Sequence, residues 1–442
     1  MKRRAVRHTI RSVAVVVLVV GFFGPSITAN EEDACQVRHE FEASPPEVAA
    51  LHTPWTVLFY SNADGNVVNV SDEFAELMQS TEAAHVLMLE DPADDGATLW
   101  HVGGSSEAPL LTCLESWGEV DMADDATLRR FVEFAHNWYP SERTVVMLYS
   151  HGRGWRGACY DDTPAPEGED AEWSWLTPQE MQDVFSSVGG LDALFFTSPC
   201  ITGAAELVYE LRNSVDLVIA AEPMSSFSVW HGGLGLLNDL LVAEPEISLD
   251  DLAVRLLDEI EPTYDRQAII DEYDIPFRNQ HLIPYVGLTA VTRGEGLDGL
   301  TGAIDAFAQG LLDRLDESFS SIEWRRSRAQ DFGNYEVVDA YDFAEKCSHI
   351  EGLGAVARDL MAAIDEAVLA FIKDPDGHPD AHGLSLYFPM PGTGAAIPFA
   401  SFHEQYGFGA HGTEYRTQGL DLVRETHWDE FLMAFYDRML AE

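Results

Sequence analysis

Lysine is almost missing from this 442-residue chain. Only Lys2, Lys346 and Lys373 occur, and Lys and Arg together number 26 against 75 Asp and Glu. The formal net charge is −49. A surface so poor in cations cannot neutralise phosphates, which excludes nucleic acid as a partner. The imbalance speaks to solubility rather than fold. It leads to the expectation of an extracellular life in a saline medium, where salt screens the self-repulsion. Cysteine is scarce too: Cys35, Cys113, Cys159, Cys200 and Cys347. In an exported chain an odd count leaves one thiol over. With Cys200 set aside, the other four suffice for two disulfides in any of about three connectivities. Beyond the N-terminus no run is apolar enough to span a membrane.

The first 29 residues read as an export signal. Lys2, Arg3, Arg4, Arg7 and Arg11 form a basic start, and an apolar run from Val13 to Phe23 follows. Gly24, Pro25 and small residues up to Ala29 complete a cleavage site. Cleavage there gives a secreted or periplasmic protein without a membrane anchor. It also leaves 75 acids against 21 bases. Hydrophobic residues make up 46% of the chain, enough for a sizeable core.

Hydrophobic runs and capping residues then lay out an order of elements. Residues 55–60 (WTVLFY), 85–89, 144–149 (TVVMLY), 191–196 and 217–221 read as strands, with 98–102 as a hairpin arm. Residues 71–83, 125–138, 177–188 and 204–211 read as helices. Thr177, Pro178 and Glu180 have the spacing of a capping box. The second half is richer in helix, with candidates at 249–259, 296–315, 354–372 and 427–440, and a late strand at 384–388. Strands alternating with helices predict an α/β fold, a mostly parallel sheet flanked by helices, with a helix-rich C-terminal portion.

In such sheets ligands bind beyond the carboxyl ends of the strands. His151 and Cys200 both follow strands there. A thiol nucleophile needs a nearby imidazole and donors for an oxyanion. Cys200 is expected to open a helix, whose free N–H groups lower a thiol pKa. Gly152 lets the backbone approach a substrate closely. The histidine lies 49 residues before the cysteine, near the caspase spacing of about 50. Cys159 is a rival nucleophile, but it lies in a Gly-rich loop with no helix after it, so disulfide pairing is expected. Trp155, Trp173 and Trp175 are candidates for a cleft, with core packing as the default.

These stretches resemble the clostripain-like cysteine peptidases, relatives of caspases, legumain and gingipains. WTVLFYSNADGN at 55–66 is similar to the family's opening strand and turn, and GEVDMADDATLRRFVEFAHNWYP at 118–140 to its next helix. HGRGW at 151–155, with Asp161-Asp162, resembles the histidine motif, and LDALFFTSPCITGAAELVYEL at 191–211 the nucleophile motif. HGLSLYFP at 382–389 and HWDEFLMAFY at 427–436 resemble the closing segments.

The resemblance implies a caspase-like fold and a secreted endopeptidase acting on peptides or proteins. Residues 30–232 would form the catalytic region, and 233–442 a C-terminal α/β region of the same unit. Cys200 would attack the scissile carbonyl and His151 protonate the leaving amine, with the N–H groups of Gly152 and Cys200 holding the oxyanion. No cofactor is required for this chemistry. Some relatives bind structural calcium, for which Asp161-Asp162 is the candidate here; in so acidic a chain a solvated loop is the expectation. Autocatalytic processing is implied between histidine and cysteine, and the acidic loop at 163–175 is the natural place for it.

One position departs from the family. Members that cut after Arg or Lys carry Asp two residues before the nucleophile, and here that residue is Ser198, followed by Pro199. Without a carboxylate to pair with a basic P1 side chain, that specificity is in question. Glu222, after the next strand, is the substitute candidate. The same departure supports an alternative reading, a catalytically silent relative that binds peptides or serves as a secreted scaffold. A further alternative is another thiol hydrolase on the same fold, an amidase or transpeptidase.

Overall fold

The structure, a computed structural model, describes residues 51–63, 67, 69–92, 96–105, 108–161, 174–264, 266–267, 287–332, 337–373, 376–390 and 414–440. Residues 1–29, which read as an export signal, Cys35, Asp162, Trp173 and most of the acidic loop lie outside them. Among the described residues no helix is long and apolar enough to cross a membrane.

Nine strands form one sheet. In chain order they are β1 (Thr53–Ala63), β2 (Ala84–Pro92), β3 (Ala97–Ser105), β4 (Ala108–Gly118), β5 (Ser141–Tyr149), then β8 (Leu191–Phe196), β9 (Val215–Ala221), β10 (Gly287–Thr292) and β12 (Val368–Lys373). Between these run two small pairs: β6 (Ala158–Asp161) with β7 (Ser174–Leu176), and β11 (Val337–Asp339) with β13 (Ser385–Tyr387). Across the large sheet the order is β12-β10-β9-β8-β5-β1-β2-β3-β4. The five central strands, β9 to β2, are parallel, and two antiparallel strands extend each edge.

Alternation explains why the central strands read as unbroken apolar runs. Leu58 and Tyr60 of β1, with Val146 and Leu148 of β5, enter the core on one face. Trp55, Val57 and Phe59, with Val145 and Met147, enter the core on the other. Strands buried on both faces leave no polar side to alternate with. On the first face α2 (Asp125–Trp138) and α3 (Pro178–Ser187) bury Leu128, Phe131, Met181 and Phe185. The C-terminal helices α7 (Glu295–Arg326), α9 (Gly354–Ala367) and α12 (Trp428–Leu440) share that core through Ile304, Phe307, Leu360 and Phe431. The second face is covered by α1 (Ser71–Leu77), α5 (Phe227–Ala243) and α6 (Leu249–Thr263), with Phe74, Trp230 and Leu256 inserted. Each such fully buried side chain contributes about 1.5–3 kcal/mol.

The capping box is present. Glu180 N–H donates to the Thr177 hydroxyl, and Thr177 N–H to the Glu180 carboxylate at 2.8 Å. Other expectations need correction. Residues 354–372 are not one helix: α9 stops at Ala367 and the chain continues as β12, paired antiparallel with β10. The long helix runs on to Arg326 rather than ending near 315. The regions 30–232 and 233–442, expected to belong to one unit, meet within α5, and strands from both share the large sheet. Cys159 and Cys347 are buried free thiols, so the two-disulfide framework is not formed.

Candidate active site

β5 and β8 lie side by side and parallel, with Leu148 opposite Phe196. Thr197 fastens their carboxyl ends, since both its N–H and its hydroxyl donate to the Leu148 carbonyl, at 3.0 and 2.9 Å. His151 and Cys200 leave the sheet from these ends. The chain after β5 doubles back at once. Cys159 N–H donates to the His151 carbonyl at 3.0 Å, and Arg153 N–H to the Gly157 carbonyl at 2.9 Å. Gly157, at φ 124°, permits the turn; a side chain there would strike the Leu176 carbonyl at 2.2 Å. His151 is half-buried, its ring 6.3 Å from that of Tyr160.

Gly152 brings the two segments into contact. A Cβ on it would stand 2.6 Å from Pro199 Cβ and 2.7 Å from the Cys200 nitrogen. No larger residue fits between the His151 and Cys200 turns without displacing backbone.

Cys200 does not open a helix. The helix α4 (Ala205–Glu210) begins five residues later, after a turn in which Ile201 takes a left-handed φ of 50°. The predicted helix-dipole effect on the thiol is therefore absent. Burial pushes the half-buried Cys200 thiol above its ordinary value, and the Ser225 N–H, 3.5 Å from Sγ, pulls the other way. The segment after β9 supports the turn: Ile201 N–H donates to the Pro223 carbonyl at 3.0 Å and Gly203 N–H to that of Ala221 at 2.8 Å. Nothing in the sequence marked Ser225 or Pro223 for this part.

The remaining candidates are placed as follows. Ser198 is buried two residues before Cys200. Glu222 is fully enclosed, which corrects its reading as a charge open to a substrate. One of its oxygens accepts from Gly383 N–H at 2.8 Å, and burial first, with the Asp339 charge after it, holds the carboxyl well above the usual range. Cys159 lies in the core, where burial and Asp161 hold its thiol far above the ordinary range, so it is no rival nucleophile. Asp161 is not solvated; it is buried and accepts from Met122 N–H at 2.6 Å. Among the described residues no three His, Cys, Asp or Glu gather as a metal cluster. Trp155 packs edge-on against Tyr387 and Tyr415 in the core, while the half-buried Trp175 lies 5.3 Å from Tyr160.

Comparisons with known proteins agree on one family. The model of the clostripain family matches residues 60–364. Clostripain of Hathewaya histolytica is 22% identical over 341 residues, covering 65% of this chain; the chain spans 60% of clostripain's length. A secreted clostripain-family cysteine protease from Bacteroides thetaiotaomicron, solved with an irreversible peptide inhibitor, superposes with a TM-score of 0.59 at 15% identity. That match covers 86% of this chain and all of the other. An inactive zymogen of the same family from Parabacteroides distasonis gives a TM-score of 0.59 at 16% identity, covering 86% of this chain and 99% of the other.

Proposed function

The chain belongs to the clostripain family, and from that premise we propose that it is a secreted cysteine endopeptidase with Cys200 as nucleophile and His151 as acid and base. The observation that carries the reading is the contact of Gly152 with Cys200 at the joined ends of β5 and β8. The Cys200 backbone lies against Gly152 there, on turns that each leave from the parallel sheet.

The Cys200 sulfur adds to the carbonyl carbon of the scissile bond, and its proton passes to His151. Charge gathers on the carbonyl oxygen, where the N–H groups of Gly152 and Cys200 donate to it. The C–N bond then breaks, His151 gives its proton to the departing amine, and a thioester remains. Water adds to the thioester as His151 takes its proton; the acid leaves and the thiol is restored.

Neither Ser198 nor Glu222 offers a free carboxylate to a P1 side chain. We therefore assign no selectivity for Arg or Lys. A peptide library should show P1 Arg unenriched, and a strong preference for it would overturn this assignment.

A second reading, a silent peptide-binding relative, is favoured by the burial that raises the Cys200 thiol. An acyloxymethyl-ketone probe separates the two. The peptidase should be labelled and Cys200→Ala should not, whereas equal labelling of both would remove Cys200 as the nucleophile. Processing within 163–175, a stretch largely outside the described residues, belongs to the same proposal; N-terminal sequencing of the fragments would locate the cut.

A further inference from the structure

Glu222 is a fully buried acid that this mechanism does not use. The segment around it holds the nucleophile turn at three points: Gly203 N–H on the Ala221 carbonyl, Ile201 N–H on that of Pro223, and Ser225 N–H on Cys200 Sγ. Gly203 presses so close that a methyl group there would meet the Glu222 nitrogen at 2.9 Å and its Cγ at 3.0 Å. On the far side stands the entry to β13. Gly383 N–H donates to Glu222 Oε2 at 2.8 Å, and Ser385 N–H to the Gly203 carbonyl at 2.9 Å. Behind it lies Asp339 at the end of β11, which accepts from the backbone N–H of Asp342 at 2.7 Å and of His382 at 2.6 Å.

We propose that Glu222 is a positioning residue for Cys200: its side chain, shared between Asp339 and Gly383, locks the nucleophile turn between the end of β9 and the entry to β13. The inference rests on the reading of Cys200 as nucleophile.

Two carboxyls can hydrogen-bond only while one keeps its proton. Asp339 has two backbone donors and faces the His382 ring at 3.6 Å, so it is the anion and Glu222 the donor. Burial first, and the Asp339 charge second, hold Glu222 well above the usual carboxylate range. Burial raises Asp339 as well, against the pull of His382. His382 itself is drawn down by burial, but its bond to Asp339 outweighs this and raises it. Around this group lie Asp342, paired with Lys346, and Asp380, 3.9 Å from Lys346. With Glu222 raised in the folded state, the brace is whole below the ordinary glutamate value. It is lost as pH climbs through the raised value. His382 shifts in the same sense, so an alkaline medium weakens both.

Hydrogen exchange at the Ile201 and Gly203 amides of the full chain tests this across pH. Glu222→Gln keeps an acceptor for Gly383 and becomes a permanent donor to Asp339. Relative to that variant, the wild type should lose at least ~10-fold of its protection as the medium turns alkaline. Glu222→Ala should exchange both amides at least ~10-fold faster at every pH. If that variant does not fold, Glu222→Asp, too short to reach both partners, carries the same expectation. Wild-type protection in a folded Ala or Asp variant, or a wild-type-to-Gln ratio flat with pH, would overturn the brace. Peptide cleavage is scored separately: a chain that exchanges as expected yet cleaves nothing and takes no probe keeps the brace and loses the peptidase reading.

Discussion

Gly152 and Cys200 touch backbone to backbone, with only 2.7 Å between the Cys200 nitrogen and the place a Cβ on Gly152 would occupy. The contact makes the histidine turn and the nucleophile turn one rigid object. Gly152→Ala should therefore damage catalysis far more than folding. Shifting one oxyanion donor costs roughly 100–1000-fold in kcat, and the crowding costs about 1–3 kcal/mol of stability. Steady-state kinetics beside a urea melt would check both; an Ala variant of wild-type activity would separate the contact from the chemistry.

Reactivity of the thiol should depend on His151. Burial raises the Cys200 thiol above its ordinary value against the pull of the Ser225 N–H, so without a base to take its proton the thiol stays protonated at neutral pH. The thiolate is then gained only as pH climbs past that value. At neutral pH, iodoacetamide alkylation of Cys200 in His151→Ala should fall at least ~10-fold below wild type. Mass spectrometry of the labelled peptide reads this, and equal rates would remove His151 from the activation of the thiol.

Salt should stabilise the fold. Surface pairs such as Arg255–Glu244 at 2.8 Å weaken when screened. A net charge of −49 makes self-repulsion the larger effect, and screening relieves it. The thermal midpoint should climb steadily from low salt to molar sodium chloride. A flat or falling midpoint would end the expectation of a saline setting.

Glu206, fully buried in α4, accepts from Tyr387 N–H and the Tyr415 hydroxyl, both at 2.9 Å. It fastens the helix after the nucleophile turn to the closing segments of the chain. Glu206→Ala leaves two buried donors without an acceptor, at about 1–3 kcal/mol each. Denaturant unfolding should show a loss of that order, and Glu206→Gln should recover part of it. Loss below ~0.5 kcal/mol would mean that the donors find other partners.

Much of this fold is legible in the sequence because its signals are local. The apolar runs of β1, β5, β8 and β9 and the Thr177–Glu180 box each decide their own stretch. Residues 368–373 (VLAFIK) are different. Their apolar spacing continues the helix before them, and only pairing with the distant β10 makes them a strand. The turn at Cys200 is hidden for a related reason. Residues 204–211 do read as helix, but the left-handed Ile201 that delays its start is a conformation no composition announces. Glu222 was legible as an acid near the site but not in its role, because Asp339 lies more than a hundred residues away. Strand ends thus point to His151 and Cys200, whereas the groups that hold them meet only once the sheet has formed.

The β6–β7 pair flanks the acidic loop, with Asp161 opposite Ser174. β1 to β5 and His151 lie before it, and β8 to β13 with Cys200 lie after it. A single nick between those residues would turn the chain into a split protein, with each half carrying one member of the proposed dyad. The seam would run through the middle of the parallel sheet, along the β5–β8 ladder and the cores on both faces. Neither half could close the sheet alone. The two polypeptides would stay joined until denatured, and separately expressed halves would regain the site only by complementing each other.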